Sequence, residues 1–205
     1  MSSTSQSSHT SSVSAQTTTI QQLLKNYTIF EMVFICVSSV ALGVAFWGWT
    51  FAYEITKPAL KLVGLNYLAA GFWIFASIFT PMIVRRPFVA IIASVIAAGV
   101  EGVITHWGAM ALVWGLVQGL GAEAVFASTG YRKWNLTTVV VASMISATAS
   151  FVLDYFYYGY SQMATQLQIT QYLSYVISSA LLAGFLSYVL VERLKKLNLL
   201  NRFLA

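Results

Sequence analysis

The stretch "FVAIIASVIAAGVEGVITHWG", residues 88–108, decides the fold class. Its first thirteen residues carry no charge and only Ser94 is polar. Continued to Ile104, the run approaches the roughly 20 apolar residues that a membrane-spanning helix needs. Glu101 interrupts it. An acid such as Asp at the centre of a spanning helix costs roughly 2.5–3.5 kcal/mol, less near an interface, and such a residue usually marks a pathway or a ligand. His106 and Trp107 follow the acid within two turns.

The rest of the chain has the same character. Of its 205 residues, 58% are hydrophobic and 8% charged, against about 25% charged in a soluble domain. The mean hydropathy is +0.74. These values describe an integral membrane protein. The chain shows none of the short alternating segments of a barrel, so the fold class is all-α, a polytopic bundle. Cys36 is the single cysteine and lies in an apolar run, which leaves no disulfide framework or cysteine metal cluster. Residues 1–24, "MSSTSQSSHTSSVSAQTTTIQQLL", are rich in Ser, Thr and Gln and uncharged. They read as a disordered cytoplasmic tail and lack the basic and apolar regions of a cleavable signal peptide. Residues 25–205 read as a single transmembrane domain.

Six spans are expected, at 29–52, 65–84, 88–105, 109–128, 136–157 and 171–191. Pro58, "RRP" at 85–87, "HWG" at 106–108, "YRKWN" at 131–135 and "SQMATQ" at 161–166 separate them. An N-terminus in the cytoplasm places Lys25, Arg85, Arg86, Arg132, Lys133, Arg193, Lys195, Lys196 and Arg202 inside, and only Lys57 and Lys61 outside. Nine against two sets both termini inside. The net charge of +5 therefore belongs to membrane topology, and no nucleic acid partner is expected.

In that topology Glu54, Glu101 and Asp154 fall in the outer third of spans 1, 3 and 5. Glu31 and Glu123 lie towards the cytoplasm, Glu123 within reach of a neighbouring helix or of Arg132 and Lys133. Ser94, Ala97, Ala98 and Thr105 share the face of Glu101, and Ser143, Ala147 and Ser150 lead up to Asp154. Span 4 carries a stripe of Ala111, Trp114, Gln118 and Ala122, and span 1 one of Ser39, Gly43, Trp47, Thr50 and Glu54. Such faces meet other helices or a cavity. Aromatic belts account for many of the outer tryptophans and tyrosines, but not for Trp114 one turn from Gln118 inside a span. Acids beside aromatics suit a flat ligand that is cationic or bears an amine.

No P-loop, HExxH or GxSxG motif is present. His106 is the one histidine outside the tail and serves equally as a surface loop residue or a ligand contact. No inverted repeat is visible, and six spans are few for a self-sufficient secondary transporter. The chain reads as one part of a larger machine.

The residues "GFWIFASIFTPMIVRRP" at 71–87, "VEGVITHWGAMALVWGLVQGLGAEAVFA" at 100–127, "YRKWN" at 131–135 and "SFVLDYFYYGY" at 150–160 resemble a known family. It is that of the YkoE-type substrate-binding (S) components of energy-coupling-factor (ECF) transporters. The resemblance covers most of residues 27–195. It implies a six-helix membrane subunit of a prokaryotic cell that captures thiamine or its hydroxymethylpyrimidine moiety from outside. Uptake would then be driven by a transmembrane T component and two ATPase subunits, with no cofactor and no chemistry on this chain. An AxxxA pattern on helix 1 packs S components on the T component, and Ala41 and Ala45 have that spacing, roughly 200° round the helix from Gly43. For a thiamine-like ligand the expected contacts are Glu101, Trp107, Trp114, Gln118 and Asp154, with Trp47, Glu54, Tyr155 and His106 as further candidates. A proton- or cation-coupled carrier without ATPase partners, and an assembly subunit without a ligand, are the alternatives.

Overall fold

The computed structural model describes residues 27–200 and Phe203; the tail at 1–24 lies outside the described residues. Six helical spans follow one another. They are α1 (Ile29–Leu62), α2 (Asn66–Val84), α3 (Val89–Ile104), α4 (Met110–Ser128), α5 (Leu136–Tyr157) and α6 (Thr165–Lys196). Five of them are long and apolar enough to cross a membrane alone, and α3 is a shorter apolar helix of 16 residues. Among the described residues there is no strand.

Local signals start the helices where the chain needs them. Thr28 and Glu31 form a reciprocal capping box on α1: the Thr28 hydroxyl accepts from the Glu31 amide at 3.2 Å, and Glu31 Oε2 accepts from the Thr28 amide at 2.8 Å. Asn135 caps α5 by accepting from the Thr138 amide at 2.9 Å.

Two span boundaries differ from expectation. Helix α1 runs on past 52 and through Pro58 to Leu62, 34 residues in all, about 51 Å at 1.5 Å per residue. Pro58 lies in the exposed last turns, where water can take the carbonyl its missing amide leaves free. Helix α6 starts at Thr165, ahead of the expected 171, because Gln168 anchors its first turn by donating to the Tyr160 and Met163 carbonyls at 2.9 and 2.8 Å.

Neither α2 nor α6 is uniform. The first nine residues of α2, Asn66–Ile74, wind as a 3₁₀ helix, and α6 contains a π-helical segment, Ala180–Phe185. The tighter 3₁₀ winding turns Tyr67, Ala70, Gly71 and Ile74 to the core. Gly71 sits directly on the α6 backbone, its amide donating to Ser178 Oγ at 3.1 Å. The π segment begins immediately after this contact.

Small residues bring the middle helices together, as they do in membrane bundles. On α4, Gly115 and Gly119 lie against the Ser94 and Ile91 backbone of α3, while Gly121 lies against Ser146 of α5. A core of Ile74, Ile78, Met82, Phe126 and Val139 fills the centre. Arg85, Arg86, Arg132, Lys133, Arg193, Lys195 and Lys196 gather at the end of the bundle where the α2–α3 and α4–α5 connections lie. Lys57 and Lys61 lie at the other end.

Candidate ligand-binding site

Two carboxylates are buried inside the bundle towards the end carrying the α3–α4 and α5–α6 connections. Glu101, on α3, is 4% exposed. Its Oε1 accepts from the Trp73 indole at 2.7 Å and from the Thr50 hydroxyl at 2.9 Å. Asp154, on α5, is also 4% exposed. Its Oδ1 accepts from the Trp114 indole at 2.6 Å, and its Oδ2 from the Tyr67 hydroxyl at 2.9 Å. The Tyr67 proton is committed to Asp154, so the Tyr160 hydroxyl, 2.7 Å away, donates to Tyr67. The two acids are joined by aromatic rings. Tyr53 meets Trp73 edge-on at 4.9 Å, and its hydroxyl lies within electrostatic reach of Asp154, Tyr158 and Tyr160. Trp114 is edged by Tyr157 at 4.9 Å.

Every donor to these acids is neutral. The ion pairs among the described residues are Lys57–Glu54, Arg86–Glu31 and Lys195–Glu192, and neither buried acid takes part. Hydrogen bonds from indoles and hydroxyls orient the carboxylates without neutralising them, and a buried unpaired charge is costly.

Of the residues expected at a site, the structure brings together Glu101, Trp114, Asp154 and Gln118. Gln118 is one turn along α4 from Trp114 and 6% exposed, and it lies beside the Tyr175 hydroxyl. Others lie elsewhere. His106 and Trp107 stack on each other at 4.4 Å in the α3–α4 turn, His106 exposed and Trp107 half-buried. Trp47 is 38% exposed against Phe51, and Glu54 is exposed and paired with Lys57 at 3.3 Å. Tyr155 is half-buried with its ring against Phe156. The expected stripe on α1 steps from Gly43 to Trp47, but the buried face runs Ser39, Gly43, Phe46, Thr50, Tyr53. A three-residue step after Gly43 carries the face past Trp47 and Glu54 and brings Thr50 and Tyr53 to the acids.

Trp73, Tyr67, Tyr53 and Tyr160 have no place in the sequence-based list. Trp73, in "GFWIFAS", carried the one available signal: an indole N–H inside a span needs an acceptor. Tyr67 could not be placed without knowing that its segment winds as a 3₁₀ helix.

A third buried acid has a different setting. Glu123, 6% exposed, accepts from the Phe88 amide at 2.5 Å, the Ala90 amide at 3.0 Å and the Tyr131 hydroxyl at 2.6 Å. Phe88 holds φ at 67° and its side chain cannot cap α3, so Glu123 caps that helix from α4. Burial and the Glu123 carboxylate push the Tyr131 hydroxyl above its ordinary range, which keeps it a donor. Glu123→Ala is expected to destabilise the unliganded protein by about 2 kcal/mol, through the lost cap and the freed amides. Thermal unfolding in detergent measures this.

The comparisons with known proteins agree with this architecture. Residues 30–149 match the family described as ABC-type cobalt transport system, permease component. A relative from Bacillus subtilis (strain 168), described as the HMP/thiamine permease protein YkoE, is 31% identical over 179 residues, 87% of this chain and 89% of the relative. A crystal structure of an S-component of an ECF transporter superposes with a TM-score of 0.80 at 30% identity, covering 86% of this chain and 89% of that one. The six apolar helices and these relatives make the chain a multi-pass protein of the bacterial cell membrane. By sequence and by fold, the chain belongs to this family of permease components, as an S component of the YkoE type.

Proposed function

We propose that this chain is the substrate-binding subunit of an ECF importer and captures thiamine or its hydroxymethylpyrimidine precursor at the outer face. The observation that carries the reading is the pair of buried carboxylates, Glu101 and Asp154, each held by neutral donors and set among aromatic rings. A thiazolium ring brings fixed positive charge, and an aminopyrimidine brings hydrogen-bond donors. Carboxylates and the faces of Trp and Tyr bind both. The relative's description as an HMP/thiamine permease supports the same class of ligand. The cobalt of the family description finds less support, since among the described residues no group of three or more His, Cys, Asp or Glu converges.

The gathering of Arg and Lys at the end opposite the acids supports an orientation in which both termini are cytoplasmic and the pocket opens outward. The membrane domain then comprises residues 25–205, with 1–24 as an appended cytoplasmic tail. Ala41 and Ala45 are exposed on α1, away from the face that buries Thr50 and Tyr53. That placement supports docking of a T component on the side of α1 turned away from the ligand. Two ATPase subunits bound through the T component would supply the energy, and this chain breaks no bond.

Calorimetric titration of the purified chain with thiamine, hydroxymethylpyrimidine and an unrelated vitamin tests the reading. One-to-one binding of a thiamine-like compound is expected, with uptake into proteoliposomes only when the T and ATPase subunits and ATP are present. Absence of binding overturns the ligand assignment. Proton- or potential-driven uptake by the chain alone overturns the ECF mechanism in favour of a carrier.

A further inference from the structure

The cations at the end of the bundle opposite Glu101 and Asp154 outnumber the acids there. Arg86 pairs with Glu31 at 2.9 Å and Lys195 with Glu192 at 2.5 Å. Glu123 is spent on the Phe88 and Ala90 amides and the Tyr131 hydroxyl. Among the described residues, Arg85, Arg132, Lys133, Arg193 and Lys196 are left without an ion pair.

Arg85 is unlike the others in this group, because it is half-buried while they are exposed. Its guanidinium lies over the Trp134 ring, 5.8 Å from the centroid, and its Nε donates to the Met82 carbonyl at 3.3 Å. Among the described residues no acceptor takes its two terminal nitrogens. Arg85 also closes α2 with φ at 55°, in the left-handed region that favours glycine. A long cationic side chain is therefore kept there against the backbone preference. The same guanidinium ties the other cations into one patch. Trp134 directly follows Arg132 and Lys133 in the α4–α5 connection. Glu192, within electrostatic reach of Arg85, is one turn from Lys196 on α6. Trp134 is fixed by stacking on Phe126 at 4.8 Å and by donating to the Tyr131 carbonyl at 2.9 Å. Apolar surface belongs to the same two elements: Leu136, which opens α5, is 38% exposed, and Leu197, which follows α6, is 67% exposed.

A half-buried guanidinium without an anion is costly, and its planar fork matches the oxygens of a phosphate. Trp134 supports one face of the guanidinium, which leaves its edge for such a group. The partner must be anionic at the cations and apolar beside them, at a depth where an aromatic ring marks the membrane interface. We propose that Arg85, with Arg132, Lys133 and Lys196, binds the phosphate of one anionic phospholipid, whose acyl chains lie along Leu136 and Leu197. In the orientation given above, this lipid belongs to the cytoplasmic leaflet. The site is independent of the ligand held at Glu101 and Asp154.

Native mass spectrometry of the full chain in detergent, titrated with phosphatidylglycerol or phosphatidylcholine, counts the bound lipids and tests this. One phosphatidylglycerol is expected to bind at least about tenfold more tightly than phosphatidylcholine, since each basic residue near an anionic headgroup is worth about fivefold. Arg132→Gln combined with Lys133→Gln is expected to weaken that binding by about twenty-five-fold. Arg85→Lys keeps the charge but removes the fork, and a loss of about tenfold is expected from the missing charged hydrogen bond. Lys61→Gln, at the other end of the bundle, is expected to change nothing. Equal binding of the two lipids overturns the site and leaves the patch to an acidic protein partner. Wild-type affinity in Arg85→Lys, or a loss in Lys61→Gln as large as in the double variant, reduces the attraction to general surface charge and overturns it too. Inorganic phosphate alone is expected to leave no adduct; an adduct lost in Arg85→Lys would assign the site to a free anion and overturn the lipid. Should Arg85→Lys fail to fold, the double variant, whose residues are exposed, decides against Lys61→Gln on the same criterion.

Discussion

Glu101→Gln is expected to weaken thiamine binding by about a hundredfold or more while leaving the unliganded protein folded. The substitution keeps an acceptor oxygen where Trp73 and Thr50 donate, at 2.7 and 2.9 Å, so the local hydrogen bonds survive. The negative charge is lost. A buried ion pair with one partner truncated costs roughly 2–5 kcal/mol in binding, because the remaining charge stays desolvated and unpaired. Asp154→Asn follows the same logic at the other wall, where Trp114 and Tyr67 still find an acceptor. Titration calorimetry on wild type and both variants measures the loss. Unchanged affinity in Glu101→Gln would remove this acid from the site.

Gly71→Ala is expected to destabilise the protein by about 3 kcal/mol, at the upper end of the usual cost of overpacking. A Cβ at this position would lie 2.4 Å from the Ser178 carbonyl carbon and the Ser179 amide nitrogen. Both are backbone atoms inside a helix, and neither can swing aside as a side chain would. Either the 3₁₀ segment of α2 or the α6 backbone must move, and Tyr67 moves with it. Melting temperature in detergent reports the destabilisation. Thiamine affinity should fall in the same variant, since Tyr67 orients Asp154. A melting temperature equal to wild type would show that the contact yields easily.

These two residues show how unevenly sequence and structure inform on this molecule. Glu101 stands out at once because a carboxylate in an apolar run is costly wherever the run ends up. Gly71 carries no such mark, since small residues occur throughout membrane bundles and only the position of α6 makes this one critical. Trp114, Gln118 and Asp154 were readable because each is a polar group inside a span. Trp47 and Glu54 illustrate the limit. A stripe on α1 can be drawn through either Phe46 or Trp47, and the difference of one residue is 100° of helix rotation. Packing against α2 and α3 chooses the face with Phe46, Thr50 and Tyr53.

The sequence by itself determined that this is a six-span membrane protein, which family it resembles, and that costly acids lie within its spans. Those properties follow from composition and hydrophobic run length, which a bilayer enforces whatever the tertiary contacts. Only the tertiary structure decided which acids are buried and which donors hold them. It made Glu123 a helix cap, left Glu54 on the surface and brought Tyr67 and Trp73 to the carboxylates. Burial and hydrogen-bond partners are relations between helices, and helix rotation and 3₁₀ winding, which set those relations, leave no mark in a single strand of sequence.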